Sequence, residues 1–417
     1  MKVIIIGNSA AGLSALEAFR KIDTVSKVWV VTKESPRPYS RVQLPYYLTD
    51  RVALDSLAIR PDNHLHELNA KIITGQVVGL DTAAKTVHLN TGQSLAYDRL
   101  LIASGSTPFT PAITGIGLPG VHNIWTMEDA LALKNVLIEG QRILIIGGGF
   151  IAMQAAWVAA QCSLATALSV RSIIMRRDLD DIAREALKGR MKAAGILLME
   201  GAMPDRIFET ANNTLQVDFT GHDSLQVDAI VSATGIQPNT GFLEDSDLEI
   251  DGGILVNSNM QTNIQNVYAA GDVAAAKSAW GQQHHVQALW PCAVEQGQVA
   301  GQNLAGLETT YQGSLNMNVV ELFGLVIASV GRFTDTAGFD TWTWDDQKVG
   351  NYLRIFLDKG VPVGGISLGK AEGVGILGML RPYIRHHRYL SADRPNDLAQ
   401  ALQLNLFPGS FRKPTLQ

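Results

Sequence analysis

The chain has 417 residues, of which 46% are hydrophobic and 18% charged, and its formal net charge is −5. That length exceeds one hydrophobic core and implies two or three domains. The slightly acidic balance, without blocks of like charge, excludes the basic footprint of a nucleic-acid binder and a solvated interaction tail. Only two cysteines occur, Cys162 and Cys292. They exclude a disulfide framework and an iron–sulfur cluster held by four cysteines of this chain, and they fit a reducing, cytoplasmic compartment.

In chain order, the first apolar run, Val3-Ile-Ile-Ile6, is too short for a signal peptide and reads as a buried strand. Lys2 to Ala18 then reads as strand, glycine turn and helix. The turn, Gly7-Asn8-Ser9-Ala10-Ala11-Gly12, is a G-x-G-x-x-G pattern with Ser9 for the middle glycine. Small residues there let the backbone approach a pyrophosphate at a helix N-terminus. An acid about twenty positions on should take a ribose hydroxyl, and Glu34, after Val28-Trp-Val-Val-Thr32, is placed for it. A further apolar strand ends in a glycine turn at Leu101-Ile-Ala-Ser-Gly-Ser-Thr-Pro108, and Pro108 to Pro119 reads as a crossing between domains.

Both elements then recur. Arg142 to Ala160 is again strand, glycine turn and helix, with Gly147-Gly148-Gly149-Phe150-Ile151-Ala152 as a G-x-G-x-x-A variant. Ile230 to Pro238, turning at Gly235, repeats the second element. Ile143 to Val170 carries no charge and is long enough to suggest a membrane span. The glycine triplet, Gln154 and Gln161 interrupt it, and a buried strand–turn–helix–strand with no membrane span is the expectation. No acid stands near residue 170, where the sequence is Ser169-Val170-Arg171 with Arg176-Arg177 beyond. An arginine there can meet a 2′-phosphate, which tilts the reading toward NADP over NAD; solvated surface arginines are the alternative.

Val267-Tyr-Ala-Ala-Gly-Asp272 holds an aspartate at a strand's carboxyl end, where it can hydrogen-bond a flavin's ribityl chain or phosphate bridge. A helix is predicted from Pro291 to Ala305. From Tyr311 onward, alternating runs at Asn318-Val-Val-Glu-Leu-Phe323, Tyr352 to Leu357 and Val361 to Leu368 predict a small mixed sheet, followed by a polar, loose tail over the last 25 residues. The fold class expected is α/β. Two Rossmann-like dinucleotide-binding domains, the second inserted in the first, precede a small α+β C-terminal interface domain. Boundaries are placed at 1–113 and 254–311 for the FAD-binding domain, 114–253 for the NAD(P)-binding domain and 312–417 for the interface domain.

Together these motifs resemble the pyridine nucleotide–disulfide oxidoreductase superfamily over nearly the whole chain. Pro38 to Leu48, Leu289-Trp-Pro-Cys-Ala-Val-Glu-Gln-Gly297 and Asn318 to Gly324 are similar to the branch with NADH–rubredoxin reductases, nitrite reductase flavin modules and the flavin subunit of phenylglyoxylate dehydrogenase. The resemblance implies FAD on Gly7, Ser9, Ala10, Ala11, Gly12, Glu34, Arg41, Ala103, Ser104, Gly105, Gly271, Asp272, Trp290, Pro291 and Cys292. It implies NAD(H) or NADP(H) on Gly147, Gly149, Phe150, Ile151, Ala152, Arg171 and Gly235. No metal is expected.

The departures matter as much. The cysteine of single-cysteine relatives corresponds to Val42, so the disulfide route is closed at that position. Cys292 is either a substitute thiol at a helix start or a small packing residue, and Cys162 is structural. A lysine–glutamate pair found in some relatives corresponds to Tyr46 and Gln154. No residue is assigned as a certain catalyst, because the flavin carries the chemistry; Trp290, Cys292 and Gln154 are the candidates near the ring. The function implied is hydride transfer at flavin N5 between NAD(P)H and a redox partner, an iron–sulfur protein or complex. The alternatives are the flavin subunit of a 2-oxoacid dehydrogenase complex reducing NAD+, a stand-alone NAD(P)H oxidase, and a non-catalytic flavin-binding subunit. A homodimer or a subunit of a hetero-oligomer is expected.

Overall fold

The computed structural model describes residues 1–281, 283–333, 338–346, 351–369 and 371–390. The chain divides into two compact units. The first holds Met1–Val42, Ala53–Thr107 and Ile236–Leu315, and the second Gln43–Val52, Pro108–Gly235 and Asn316–Gln417. The divisions at Thr107 and Gly235 fall in the short strands Ser106–Pro108 and Ile236–Pro238, or beside them, and these two strands pair as a sheet of their own.

In the first unit the apolar strand Lys2–Ile6 lies at the centre of a five-stranded parallel sheet. Lys27–Thr32 and then Ala70–Thr74 lie on one side, and Arg99–Ile102 and then Val267–Ala269 on the other. Strands buried on both faces read as continuous apolar runs, as Val3 to Ile6 does. The sequence order reverses beside the central strand, so a crevice opens where Gly7 follows Ile6. Helix Ala10–Arg20 leaves that point and packs on helix Trp290–Leu304 at very close range. A Cβ on Gly297 would stand 2.3 Å from the Ala11 carbonyl oxygen, and one on Gly301 2.2 Å from that of Ala15.

The second unit repeats the plan. Arg142–Ile146 is central in a parallel sheet, flanked by Ala165–Val170 with Leu197–Glu200 and by Ala229–Ser232 with Val121–His122. Helix Phe150–Gln161 follows the glycine turn; no helix among the described residues is long and apolar enough to cross a membrane. Each unit also carries a three-stranded antiparallel sheet that the periodicity did not reveal, Val77–Asp81 with Thr86–Leu89 and Ser94–Ala96, and Pro204–Glu209 with Leu215–Phe219 and His222–Val227.

The C-terminal sheet of the second unit is antiparallel throughout, not mixed as expected. It runs Met317–Leu322, Leu325–Gly331, Val361–Gly369, Asn351–Asp358, Asp340–Asp346. Tight turns explain this: Phe323-Gly324 and Lys359-Gly360 all have φ between 50° and 80°, which closes hairpins and leaves no room for a parallel crossover. Helix Ala371–Arg385 covers this sheet. The loose tail expected over the last 25 residues lies outside the described residues.

Candidate functional site

The first glycine turn is built for backbone approach. Gly7 has φ +106°, and a Cβ there would stand 2.1 Å from the Ala103 carbonyl oxygen; one on Gly12 would stand 1.9 Å from the Gly7 oxygen. Ser9 is the N-cap of helix Ala10–Arg20, but its hydroxyl makes no cap bond and no acid sits in the first turn. The first N–H groups therefore stay available to an anion at the positive end of the helix.

Glu34 lies two residues beyond its strand. Tyr39 Oη donates to its Oε2 at 2.5 Å, and Arg41 Nη2 meets its Oε1 at 2.6 Å, so the structure joins two of the predicted residues to each other. Asn8, which the motif left unassigned, braces this loop. Its Nδ2 donates to the Ser35 and Pro36 carbonyls, and its Oδ1 accepts from Thr32 Oγ1.

At the opposite flank of the crevice, Asp272 accepts from Ser106 Oγ at 2.8 Å. Burial pushes its pKa up, against the opposing pull of the Ser106 hydroxyl and the Arg41 charge. A deep-set carboxylate with one hydroxyl donor gains from further donors, and ribityl hydroxyls would supply them. The preceding N–H, of Gly271, donates to the buried Gln296 Oε1 at 2.8 Å. Gln296 thus ties the Gly-Asp element to helix Trp290–Leu304, whose N-terminus is also uncapped by any side chain. Trp290 and Pro291 form the first turn, and Cys292 is 2% exposed with Sγ donating to the Leu315 carbonyl at 3.5 Å.

Ala103 supplies the carbonyl that faces Gly7, and Gly105 turns the chain with φ +70°. Ser104 is committed elsewhere: its Oγ donates to the Asn239 carbonyl and its own carbonyl accepts from Asn239 Nδ2. Asn239 carries no motif, and Gln296 lies within the Leu289–Gly297 run without any role there that its spacing could reveal. The Gly297-x-x-x-Gly301 spacing was visible and marks the close helix crossing that brings Ala11 and Gly271 together, since Gly271 lies where a Cβ would come within 3.0 Å of Ala11 Cβ.

The second turn has the same frame. Gly147, φ +138°, would clash at 2.2 Å with the Ala233 carbonyl oxygen, and Gly149 caps helix Phe150–Gln161 with no side-chain cap bond and no first-turn acid. Phe150 and Ile151 open the helix half-buried, while Ala152 is fully buried. Gly235, φ +130°, takes the Phe109 N–H on its carbonyl. Arg171 is exposed just past strand Ala165–Val170. Tyr46 packs edge-on to Trp157 with ring centroids 5.6 Å apart, and Gln154 stands nearly one turn earlier on that helix. Arg51 lies 4.7 Å over the same Trp157 ring. Val42 is 53% exposed. Cys162 ends helix Phe150–Gln161, and burial, then the Asp50 charge, push its thiol pKa up against Lys134.

The residues present fit a dinucleotide at each turn: each glycine frame leads into a helix N-terminus without a side-chain cap, and at the first turn the half-buried Asp272 carboxylate can accept further donors. The model of the pyridine nucleotide-disulphide oxidoreductase family matches residues 1–297. The chain belongs to that family. It is an FAD-dependent NAD(P)H oxidoreductase that transfers electrons. Among curated relatives, the NADH-dependent phenylglyoxylate dehydrogenase subunit epsilon of Aromatoleum evansii is 30% identical over 88% of this chain and 87% of its own. The NADH-rubredoxin oxidoreductase of Clostridium acetobutylicum is 27% identical over 88% of this chain and 92% of its own. Among solved structures, an engineered water-forming NADPH oxidase bound to NADPH has a TM-score of 0.87 at 24% identity, covering 97% of this chain and 98% of its own. Its parent, the NADH oxidase of Lactobacillus brevis bound to NADH, has a TM-score of 0.85 at 23% identity, covering 97% of this chain and 98% of its own. At these identities the two structures show the shared fold.

Proposed function

We propose that this chain passes electrons from NAD(P)H through FAD to an iron–sulfur protein, with no redox disulfide on the route. The observation that carries the reading is the state of the two thiols. Cys292 is buried and donates to the Leu315 carbonyl, and Cys162 ends a helix with its pKa raised. Cys292 is thus sealed from solvent and Cys162 holds its proton more tightly than a free thiol, and by the family resemblance Val42 stands where single-cysteine relatives carry theirs.

In this reading Gly7, Ser9, Ala10, Ala11 and Gly12 hold the pyrophosphate of FAD through their backbone, with Ala103, Ser104 and Gly105 as the crevice wall. Glu34 takes the adenosine ribose, and Arg41 orients Glu34 through their ion pair. Asp272, with Ser106, takes the ribityl chain. The uncapped first turn at Trp290, Pro291 and Cys292 presents N–H donors and a positive dipole end to the ring. Gly147, Gly149, Phe150, Ile151, Ala152, Arg171 and Gly235 hold the nicotinamide nucleotide. The flavin, when bound, accepts a hydride and returns electrons one or two at a time.

A C162S/C292A double variant tests the route. It should still bleach on anaerobic NAD(P)H and still reduce rubredoxin or a [2Fe–2S] ferredoxin. Loss of transfer with normal flavin content would overturn the disulfide-free reading. Similarity to the phenylglyoxylate dehydrogenase subunit favours a second arrangement, a flavin subunit of a 2-oxoacid dehydrogenase complex. Copurification with iron–sulfur and thiamine-diphosphate subunits from the native host would select it.

A further inference from the structure

We infer that the nicotinamide nucleotide of this chain is NADP(H), its 2′-phosphate held by Arg171, Ser172 and Arg177. The inference rests on the proposed placement of that nucleotide at the second glycine turn. The two glycine turns are equivalent in their backbone bonds. Gly7 N–H donates to the Val31 carbonyl at 2.8 Å, and Gly147 N–H to that of Ser169 at 2.9 Å. Stepping forward from these partners, Thr32, Lys33 and Glu34 correspond to Val170, Arg171 and Ser172. Where the first turn meets a carboxylate, the second meets a hydroxyl preceded by an arginine.

The loop is fixed over the turn at both ends. Val170 Cγ1 lies 2.7 Å from where a Cβ on Gly148 would stand, and Met175 N–H donates to the Gly148 carbonyl at 2.7 Å. Arg171 and Ser172 leave the first anchor and Arg176 and Arg177 follow the second, all exposed. None of the three arginines forms a salt bridge among the described residues. The neighbouring acids are engaged. Glu200 accepts from Ile174 N–H and Lys188 Nζ, Asp180 caps its helix and accepts from Tyr352 Oη, and Asp181 pairs with Arg184. Asp178, half-buried beside Arg177, has its pKa pushed up to about 6. The loop thus presents exposed cations and a hydroxyl, while the neighbouring carboxylates are engaged or, at Asp178, half-buried, the chemistry that favours a doubly charged monoester over two ribose hydroxyls.

The engineered NADPH oxidase described above points the same way by spacing. Its five substitutions introduce an alanine; then, eighteen positions on, an alanine in place of aspartate, an arginine and a serine in succession; then an arginine five positions after the serine. This chain has Ala152, then eighteen positions on Val170, Arg171 and Ser172, and five positions after Ser172 comes Arg177.

Calorimetric titration of the FAD-loaded full chain with adenosine 2′,5′-bisphosphate and with 5′-AMP reads the 2′-phosphate directly, without turnover. The bisphosphate should bind at least about tenfold tighter at low salt, and an R171A/R177A variant should erase most of that gap while keeping its flavin absorbance. Anaerobic flavin bleaching should occur at correspondingly lower NADPH than NADH. Equal binding of the two fragments, with bleaching by NADH at least as readily as by NADPH, would overturn the inference and leave the oxidoreductase reading standing. Failure of both fragments and both nucleotides would overturn the placement of the nucleotide as well.

Discussion

The two glycine turns share a backbone frame and differ in how the neighbouring loop is tied. In the first, Asn8 reaches out with its side chain to hold the Ser35–Pro36 carbonyls, and so sets Glu34 against Arg41 and Tyr39. In the second, Gly148 has no side chain to offer, and the loop is tied to its carbonyl by Met175 N–H. The first turn is also tighter. Gly12 has no room for a methyl group, whereas Ala152 carries one at the equivalent position. On the proposed assignment, the glycine frame makes room for a dinucleotide and the two residues after the second strand select which one.

The two turns differ most at Gly12. Gly12→Ala forces a Cβ to 1.9 Å from the Gly7 oxygen. The backbone cannot yield there without opening the turn, so a loss of about 3 kcal/mol or more and of bound FAD is expected. The reciprocal Ala152→Gly removes a methyl group and costs only about 1 kcal/mol. Chemical unfolding with flavin absorbance as the second signal separates the two. Equal costs would show that the turns are not built differently.

Next in size is Gln296→Leu, which acts on the first unit alone. It leaves the buried Gly271 N–H without its acceptor, at a cost of about 2 kcal/mol. Flavin affinity should fall while binding of adenosine nucleotides at the second turn is unchanged. A fall in both would show that Gln296 supports overall folding and not the Gly-Asp element.

Much of this arrangement was legible in sequence because it is carried by backbone. Gly7, Gly147, Gly235 and Gly271 stand where φ is positive or a carbonyl is too near for a side chain, and such constraints leave glycines at fixed spacings. The central strands were legible as uninterrupted apolar runs. The braces were not. Asn8, Asn239 and Gln296 act through amide groups whose partners lie 24 to 135 positions away, and an amide has no periodicity to betray it. The antiparallel C-terminal sheet was misread because three alternating runs fix strands and not their direction, which the Gly324 and Gly360 turns decide. The pairing of Glu34 with Arg41 was also hidden, since each alone suggested a direct contact with the cofactor.

A weaker effect is expected at the second turn. Asp178 follows Arg177 in the loop that has no counterpart of the Glu34–Arg41 pair. Burial raises its pKa from 3.8 to about 6, and the Arg177 charge opposes only part of that rise. The folded chain therefore holds this proton more tightly than the unfolded chain does. Its stabilising contribution is complete below pH 3.8 and is lost as the pH rises through about 6, so at neutral pH the ionised carboxylate strains the fold. Asp178→Asn removes the charge and keeps the shape. Because the amide must itself be buried, the net gain at pH 7.5 is about 1 kcal/mol, and it should shrink as the pH falls through the raised pKa and be gone by about pH 5. Urea midpoints for both proteins across that range give the test. A variant less stable than the parent at pH 7.5 would mean that the carboxylate is needed ionised, paired with Arg177, and that the loop holds its own counterpart of the Glu34–Arg41 pair.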